Sequence, residues 1–205
     1  MKNIVVAGIG TDVGKTIVSA IIVSALQADY WKPIQCGPDS DAKKIKQLTA
    51  GLHLTIHPST YNFRAAVSPH HAAALENSSI PSYIPPPITS RPLVIESVGG
   101  ICVPLNSTCL SIDFLSTQQA SWILVSKHYL GSINHTLLTA AYLKSRNILV
   151  HSLIFNGETV PESEQAILQF TGLTCSGRLQ QETNINRSTI QRYAALWKPQ
   201  LQSLL

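Results

Sequence analysis

Short, nearly continuous apolar runs alternate along this chain with longer runs whose apolar positions recur every three to four residues. The short runs are residues 4–8, 30–34, 92–96, 122–126, 149–156 and 173–177. Apolar at successive positions, they predict strands buried on both faces of a parallel sheet. The intervening stretches 14–27, 39–49, 68–75, 133–144, 162–170 and 186–197 predict helices. In the first, Ile17, Ala20, Ile21, Ser24 and Ala25 share one helical stripe. Asn186 stands where it can cap the last. Strands alternating with helices predict an α/β fold, with a mostly parallel sheet and helices on both faces. Residues 78–92 hold five of the twelve prolines, including Pro85-Pro86-Pro87, and predict a stiff surface connection rather than a domain boundary. No internal repeat is visible.

Composition narrows the picture. With 205 residues, one domain spanning 1–205 is the default. At 44% hydrophobic and 13% charged, the chain is no disordered segment. A net charge of +4, with no basic run beyond Lys43-Lys44-x-Lys46, argues against nucleic acid and suits small anionic ligands. The cysteines, Cys36, Cys102, Cys109 and Cys175, form no C-x-x-C pair, so neither a zinc site nor a disulfide framework is expected. They read as reduced thiols, Cys102 and Cys175 in apolar, strand-like surroundings. After Met1-Lys2-Asn3 the apolar run is too short for a signal peptide, and no stretch is long enough to span a membrane. A cytoplasmic protein without membrane contact is expected.

The informative motif is Gly8-Ile9-Gly10-Thr11-Asp12-Val13-Gly14-Lys15-Thr16, between the first strand and the first helix. Glycines let backbone N–H groups wrap a phosphate, and the helix start adds a favourable dipole. Lys15 can neutralise β/γ oxygens, and Thr16 can offer a hydroxyl to Mg²⁺. The spacing is unusual, with five residues between Gly8 and Gly14 instead of four. The bland alternative is a strand–turn–helix junction with incidental glycines. Glu96 ends a buried apolar run, the place of a metal-associated acid in phosphate-loop proteins. Asp41 and Asp12 fit equally well as ordinary first-turn and turn acids. Lys32, beside Pro33, fits a snorkelling surface lysine.

These blocks together resemble the dethiobiotin synthetases, ATP-dependent cyclo-ligases whose loop carries the same longer spacing. Further similarities run in order along the chain: Trp31-Lys32-Pro33, Ser40-Asp41-Ala42, Ser68-Pro69-His70, Glu96-Ser97-Val98-Gly99-Gly100 with Pro104-Leu105, Leu130-Gly131-Ser132-Ile133-Asn134-His135, and Phe155-Asn156. The resemblance implies a single phosphate-loop α/β domain. It implies a reaction of 7,8-diaminononanoate, CO₂ and ATP, with Mg²⁺ as cofactor, giving dethiobiotin, ADP and phosphate.

It also implies roles. Lys15, Lys32 and Thr11 are the catalytic candidates. Asp12, Val13, Gly14, Lys15, Thr16, Ile17 and Asn156 are the nucleotide-binding ones, Asn156 reading the adenine. Thr16, Asp41 and Glu96 are the metal ligands. Thr11, Lys32, Cys36, Gly99, Gly100, Leu130, Gly131 and Asn134 are the substrate residues. The last three lie in a loop expected at a homodimer interface, reaching the partner's site. Asn134 could instead be a plain helix cap, His135 reads as a packing residue, and His70 and His71 read as satisfied or solvated histidines. Three places depart from the pattern. Gly10 stands for a frequent loop acid, Cys36-Gly37-Pro38 for a Ser-Gly-Ser-like stretch, and Gly177-Arg178-Leu179-Gln180 for Gly-x-Ile-Pro beside the base. The competing readings are another phosphate-loop ATPase, of the ParA or cobyrinate-synthetase kind, and a non-catalytic nucleotide-binding module.

Overall fold

A computed structural model describes residues 3–204; the expectations at Met1, Lys2 and Leu205 lie outside the described residues. The chain opens with β1 (Asn3–Gly8), α1 (Lys15–Leu26), β2 (Asp29–Trp31), β3 (Ile34–Cys36) and α2 (Asp41–Leu48). Next come β4 (Ile56–His57), β5 (Tyr61–Phe63), α3 (Pro69–Leu75), β6 (Leu93–Glu96), α4 (Ser111–Ser116) and β7 (Ala120–Lys127). It closes with α5 (Ser132–Ser145), β8 (Val150–Asn156), α6 (Pro161–Thr171), β9 (Cys175–Leu179), α7 (Arg187–Leu201) and a 3₁₀ turn, Gln202–Leu204.

Seven strands form one sheet in the order β4-β2-β6-β1-β7-β8-β9, every neighbouring pair parallel. Because side chains alternate along a strand, β1 feeds two cores. Ile4 and Val6 join the core beneath α1, α2 and α7; Val5 and Ala7 join the opposite core, which takes residues from α3, α4, α5 and α6. Burial on both faces explains why these strands read as continuous apolar runs. The crossovers leaving β1 and β7 run to opposite sides of the sheet. That reversal leaves a crevice beyond the strands' C-terminal ends, where open α/β sheets bind ligands.

Four expectations change. The run 30–34 is two strands, because Pro33 has no N–H to continue a ladder. Its first half joins the main sheet and its second pairs with β5 in a separate two-stranded sheet. The single stripe on α1 is too narrow: every residue of that helix except Thr16 is buried, against the sheet on one side and α2 and α7 on others. Cys102 sits exposed in a turn rather than in a strand, although all four cysteines are free as expected. Gly131, at φ 97°, precedes α5, so Asn134 lies inside the first turn and is not its cap; His135 is exposed instead of packed. The cap at Asn186 holds, its Oδ1 accepting from Thr189 N at 3.1 Å. Residues 78–92 cross the surface without helix or strand, as read, anchored by buried Ile80 and Ile84 and by Thr89 Oγ1 donating to Asp29 Oδ2 at 2.5 Å.

Candidate active site

A cleft of about 1170 Å³ lies beyond the C-terminal ends of β1, β2 and β6. Its floor is the loop between β1 and α1. Gly14 holds φ at 95°, a left-handed conformation an L side chain adopts only with strain. A Cβ there would also stand 2.3 Å from Asn156 Nδ2. No side chain caps α1, so its first backbone N–H groups face the cleft as an anion site. Lys15 begins the helix and folds back, Nζ donating to Gly10 O at 2.8 Å. Burial, foremost, lowers the pKa of Lys15 to about 8; the Lys32 charge adds to this, while Glu96, Asp41 and Asp12 oppose it.

Opposite the loop is a compact charged cluster. Thr16 Oγ1 donates to Asp41 Oδ1 at 2.8 Å and lies 2.9 Å from Glu96 Oε1. Lys32 Nζ donates to Asp41 Oδ2 and, at 3.4 Å, to Glu96 Oε1. Tyr30 OH donates to Glu96 Oε2 at 2.9 Å, and the Asp41 N–H to Gln35 Oε1 at 3.3 Å. Local sequence explains the convergence. Glu96 ends β6, the Tyr30–Lys32 stretch leaves β2 beside it, and Ser40 caps α2 so that Asp41 is delivered in the first turn. Burial disfavours the charge on Lys32, but Glu96 and Asp41 outweigh it and raise its pKa. Burial also opposes ionisation of Asp41, yet the Lys32 charge and hydrogen bonds from Lys32 and Thr16 hold its carboxyl below the ordinary range. Burial, then the charges of Glu96 and Asp41, push the Tyr30 phenol well up, so it stays a donor.

Thr16, Asp41 and Glu96 present only oxygens, which suits a hard divalent cation such as Mg²⁺. Among the described residues no three His, Cys, Asp or Glu side chains gather as a self-contained metal site. An ion at Thr16, Asp41 and Glu96 would complete its shell with water and with oxygens of a bound phosphate.

A second cleft of about 610 Å³ adjoins the loop through Asn156, at the end of β8, and is lined further by His128, Gly157, Gln180 and Glu182. Asn156 Nδ2 donates to Val13 O at 2.8 Å, tying the strand end to the phosphate loop. Within the departing stretch 177–180, Gln180 faces this second cleft. Arg178 turns elsewhere, Nε donating to the buried Glu164 Oε2 at 2.5 Å.

The structure gathers Thr11, Asp12, Gly14, Lys15, Thr16, Ile17, Lys32, Cys36, Asp41, Glu96 and Gly99 around the main cleft. The Val13 side chain is instead in the core, only its carbonyl facing Asn156; a Cβ on Gly100 would be 3.6 Å from Gly10 Cα, so Gly100 packs under the loop. Leu130, Gly131 and Asn134 do not line the main cleft of their own chain, and Leu130 is fully exposed. Sequence reasoning missed Tyr30, Gln35 and Lys44. Tyr30 carried a signal, since residues two apart in extended chain share a side and Tyr30 precedes Lys32 by two.

A family model described as an AAA domain matches residues 2–189. The ATP-dependent dethiobiotin synthetase of Cytophaga hutchinsonii is 45% identical, covering 95% of this chain and 96% of that protein. The one from Chlamydia abortus is 42% identical over 96% and 94%. The chain belongs to the dethiobiotin synthetase family. The matched range, residues 2–189, spans the phosphate loop, the charged cluster and Asn156. Among solved structures, the MinD cell division protein of Aquifex aeolicus superposes with a TM-score of 0.60 over 99% of this chain and 98% of that one, at 13% identity. A ParA family ATPase from Chlorobium tepidum gives 0.53 over 95% and 98%, at 11% identity. At such identities the likeness shows the fold, a phosphate-loop α/β sheet, and nothing of the reaction.

Proposed function

We propose that this chain is an ATP-dependent dethiobiotin synthetase, converting 7,8-diaminononanoate, CO₂ and ATP to dethiobiotin, ADP and phosphate. The observation that carries the reading is the convergence of two buried lysines, Lys15 and Lys32, with Thr16, Asp41 and Glu96 on one cleft at the phosphate loop. A bare nucleotide-binding module has no use for a second buried lysine facing the carboxylates. Membership of the family over nearly the whole chain supports the same reading.

One amine of the substrate adds CO₂ to give a carbamate. A carbamate oxygen attacks the γ-phosphorus and ADP departs, leaving a carbamic–phosphoric anhydride. The second amine attacks the carbonyl carbon, phosphate leaves, a proton is lost and the ureido ring closes. The protein's part is to align the reactants and match the developing charge. Lys15 and the first amides of α1 hold the phosphates. Lys32 holds the transferred phosphoryl group and the carbamate. Thr11 and the backbone at Gly99 flank the diamine, with Cys36 on the same wall. Asp12, Val13 and Ile17 shape the nucleotide side, and Asn156 reads the base from the second cleft. Thr16, Asp41 and Glu96 would hold Mg²⁺, which would supply charge neutralisation for the triphosphate.

Leu130, Gly131 and Asn134 act across a homodimer, contacting the carboxylate tail of the substrate in the partner's cleft. Their exposure, and the exposed Ile133 and Leu138 beside them, support this placement. A cytoplasmic location fits four free cysteines, and no described helix is long and apolar enough to cross a membrane. Phosphate release measured with ATP and Mg²⁺ tests the reaction: it must require both the diamine and bicarbonate. Release without either amine or CO₂ source overturns it. Sedimentation of the purified chain tests the dimer.

A further inference from the structure

Lys32 sits where a cation belongs. Its ammonium is in hydrogen-bond reach of Asp41 Oδ2 and Glu96 Oε1, and that Glu96 oxygen is the one Thr16 also faces. The carboxylates cannot readily turn away from it. Tyr30 donates to the other Glu96 oxygen, and Thr16 to the other Asp41 oxygen. Two carboxylates this close, Glu96 buried and Asp41 half-buried, favour a positive partner between them. The flexible member is the four-carbon stem of Lys32. We infer that Lys32 is the resident cation of this site, holding the place between Asp41 and Glu96 against divalent ions until a bound triphosphate draws its ammonium away.

The inference rests on the proposed reading of Thr16, Asp41 and Glu96 as divalent-cation ligands. It adds a preferred order of events: nucleotide first, or nucleotide and metal together, with metal alone disfavoured. It also gives Lys32 two positions, one between the carboxylates and one on the reacting phosphoryl group. In the resting protein the same charge keeps the buried Glu96 and the half-buried Asp41 paired.

Mn²⁺ alone is the probe, its free concentration read by electron paramagnetic resonance with the intact chain and no nucleotide. Lys32→Met should bind Mn²⁺ at least about tenfold more tightly than the unchanged chain, the effect of losing one competing charge-assisted contact. Lys15→Met removes a charge from the same cleft without touching the carboxylates, and should gain clearly less. With a non-hydrolysable ATP analogue present, the gap between Lys32→Met and the unchanged chain should close to within about threefold. Lys32→Gln replaces Lys32→Met if the latter does not fold.

Equal Mn²⁺ affinity of the unchanged chain and the Lys32 variant overturns the inference, as does an equal gain in Lys15→Met. Glu96→Gln separates the two levels. If Mn²⁺ binding in the analogue complex ignores that substitution, the cation-ligand reading itself falls. If Glu96→Gln abolishes it while Lys32→Met gains nothing, only the resident-cation role falls.

Discussion

Binding of the triphosphate should take up a proton at mildly alkaline pH, and Lys15 should be where it goes. In the ligand-free chain its ammonium is buried against Gly10 O, and its pKa is lowered to about 8. At about pH 8.5 only about a quarter of such a lysine is charged, whereas at about pH 7 about nine-tenths is. A polyphosphate beside it favours the charged form. Binding at about pH 8.5 should therefore absorb about three quarters of a proton, against about a tenth at about pH 7. Apparent nucleotide affinity should fall about fourfold between those pH values from this group alone. Titration calorimetry in buffers of different ionisation enthalpy reads proton uptake directly as a slope. Lys15→Arg is charged at both pH values and should show no uptake at either. A flat slope for the unchanged chain at the higher pH, or a slope that survives in Lys15→Arg, refutes the argument.

Three further outcomes follow from the same geometry. Gly14→Ala forces a side chain into a left-handed backbone and onto Asn156, and should cost about 1–2 kcal/mol in urea unfolding from the backbone alone, with weaker nucleotide binding; an unchanged midpoint contradicts it. Gly177→Ala puts a Cβ 2.4 Å from the Trp197 ring, and overpacking there should lower stability by about 1–3 kcal/mol while the KM for the diamine stays put. The Asp41 carboxyl is held below its ordinary range, so its contribution is full above the unfolded-state pKa of about 4 and is lost as pH falls through the lower native value. Urea unfolding from neutral pH downward should thus lose stability less steeply in Asp41→Asn, and parallel slopes would contradict the pairing with Lys32.

The fold was largely legible because strands buried on both faces announce themselves as apolar runs. The misses have local causes. Pro33 broke a run that hydrophobicity alone joins, and β4, with two residues, is too short to carry a pattern. The all-round burial of α1 was hidden because the covering α7 lies far along the chain, out of any window's sight. At the site, a glycine-rich loop before a helix is a local signal, and so Lys15 and Thr16 could be read directly. The joining of Lys32, Asp41 and Glu96 is a tertiary event, visible in sequence only through a family likeness. Tyr30 was passed over because an aromatic in an apolar strand looks like core; its spacing of two from Lys32 was the available signal, and its hydroxyl bond to Glu96 marks it as more.

The small helix α2 has just two buried residues, Ile45 and Leu48, with which to grip the body of the protein. Its other hold is polar: Asp41, clasped to Lys32 and Thr16. Whatever cation lies between Asp41 and Glu96 is thus also a rivet between a lightly seated rim and the rigid sheet. Loading and unloading that position adjusts how firmly one wall of the cleft is fastened, so the chemistry of the ligand and the mechanical seating of the rim are set by the same pair of carboxylates.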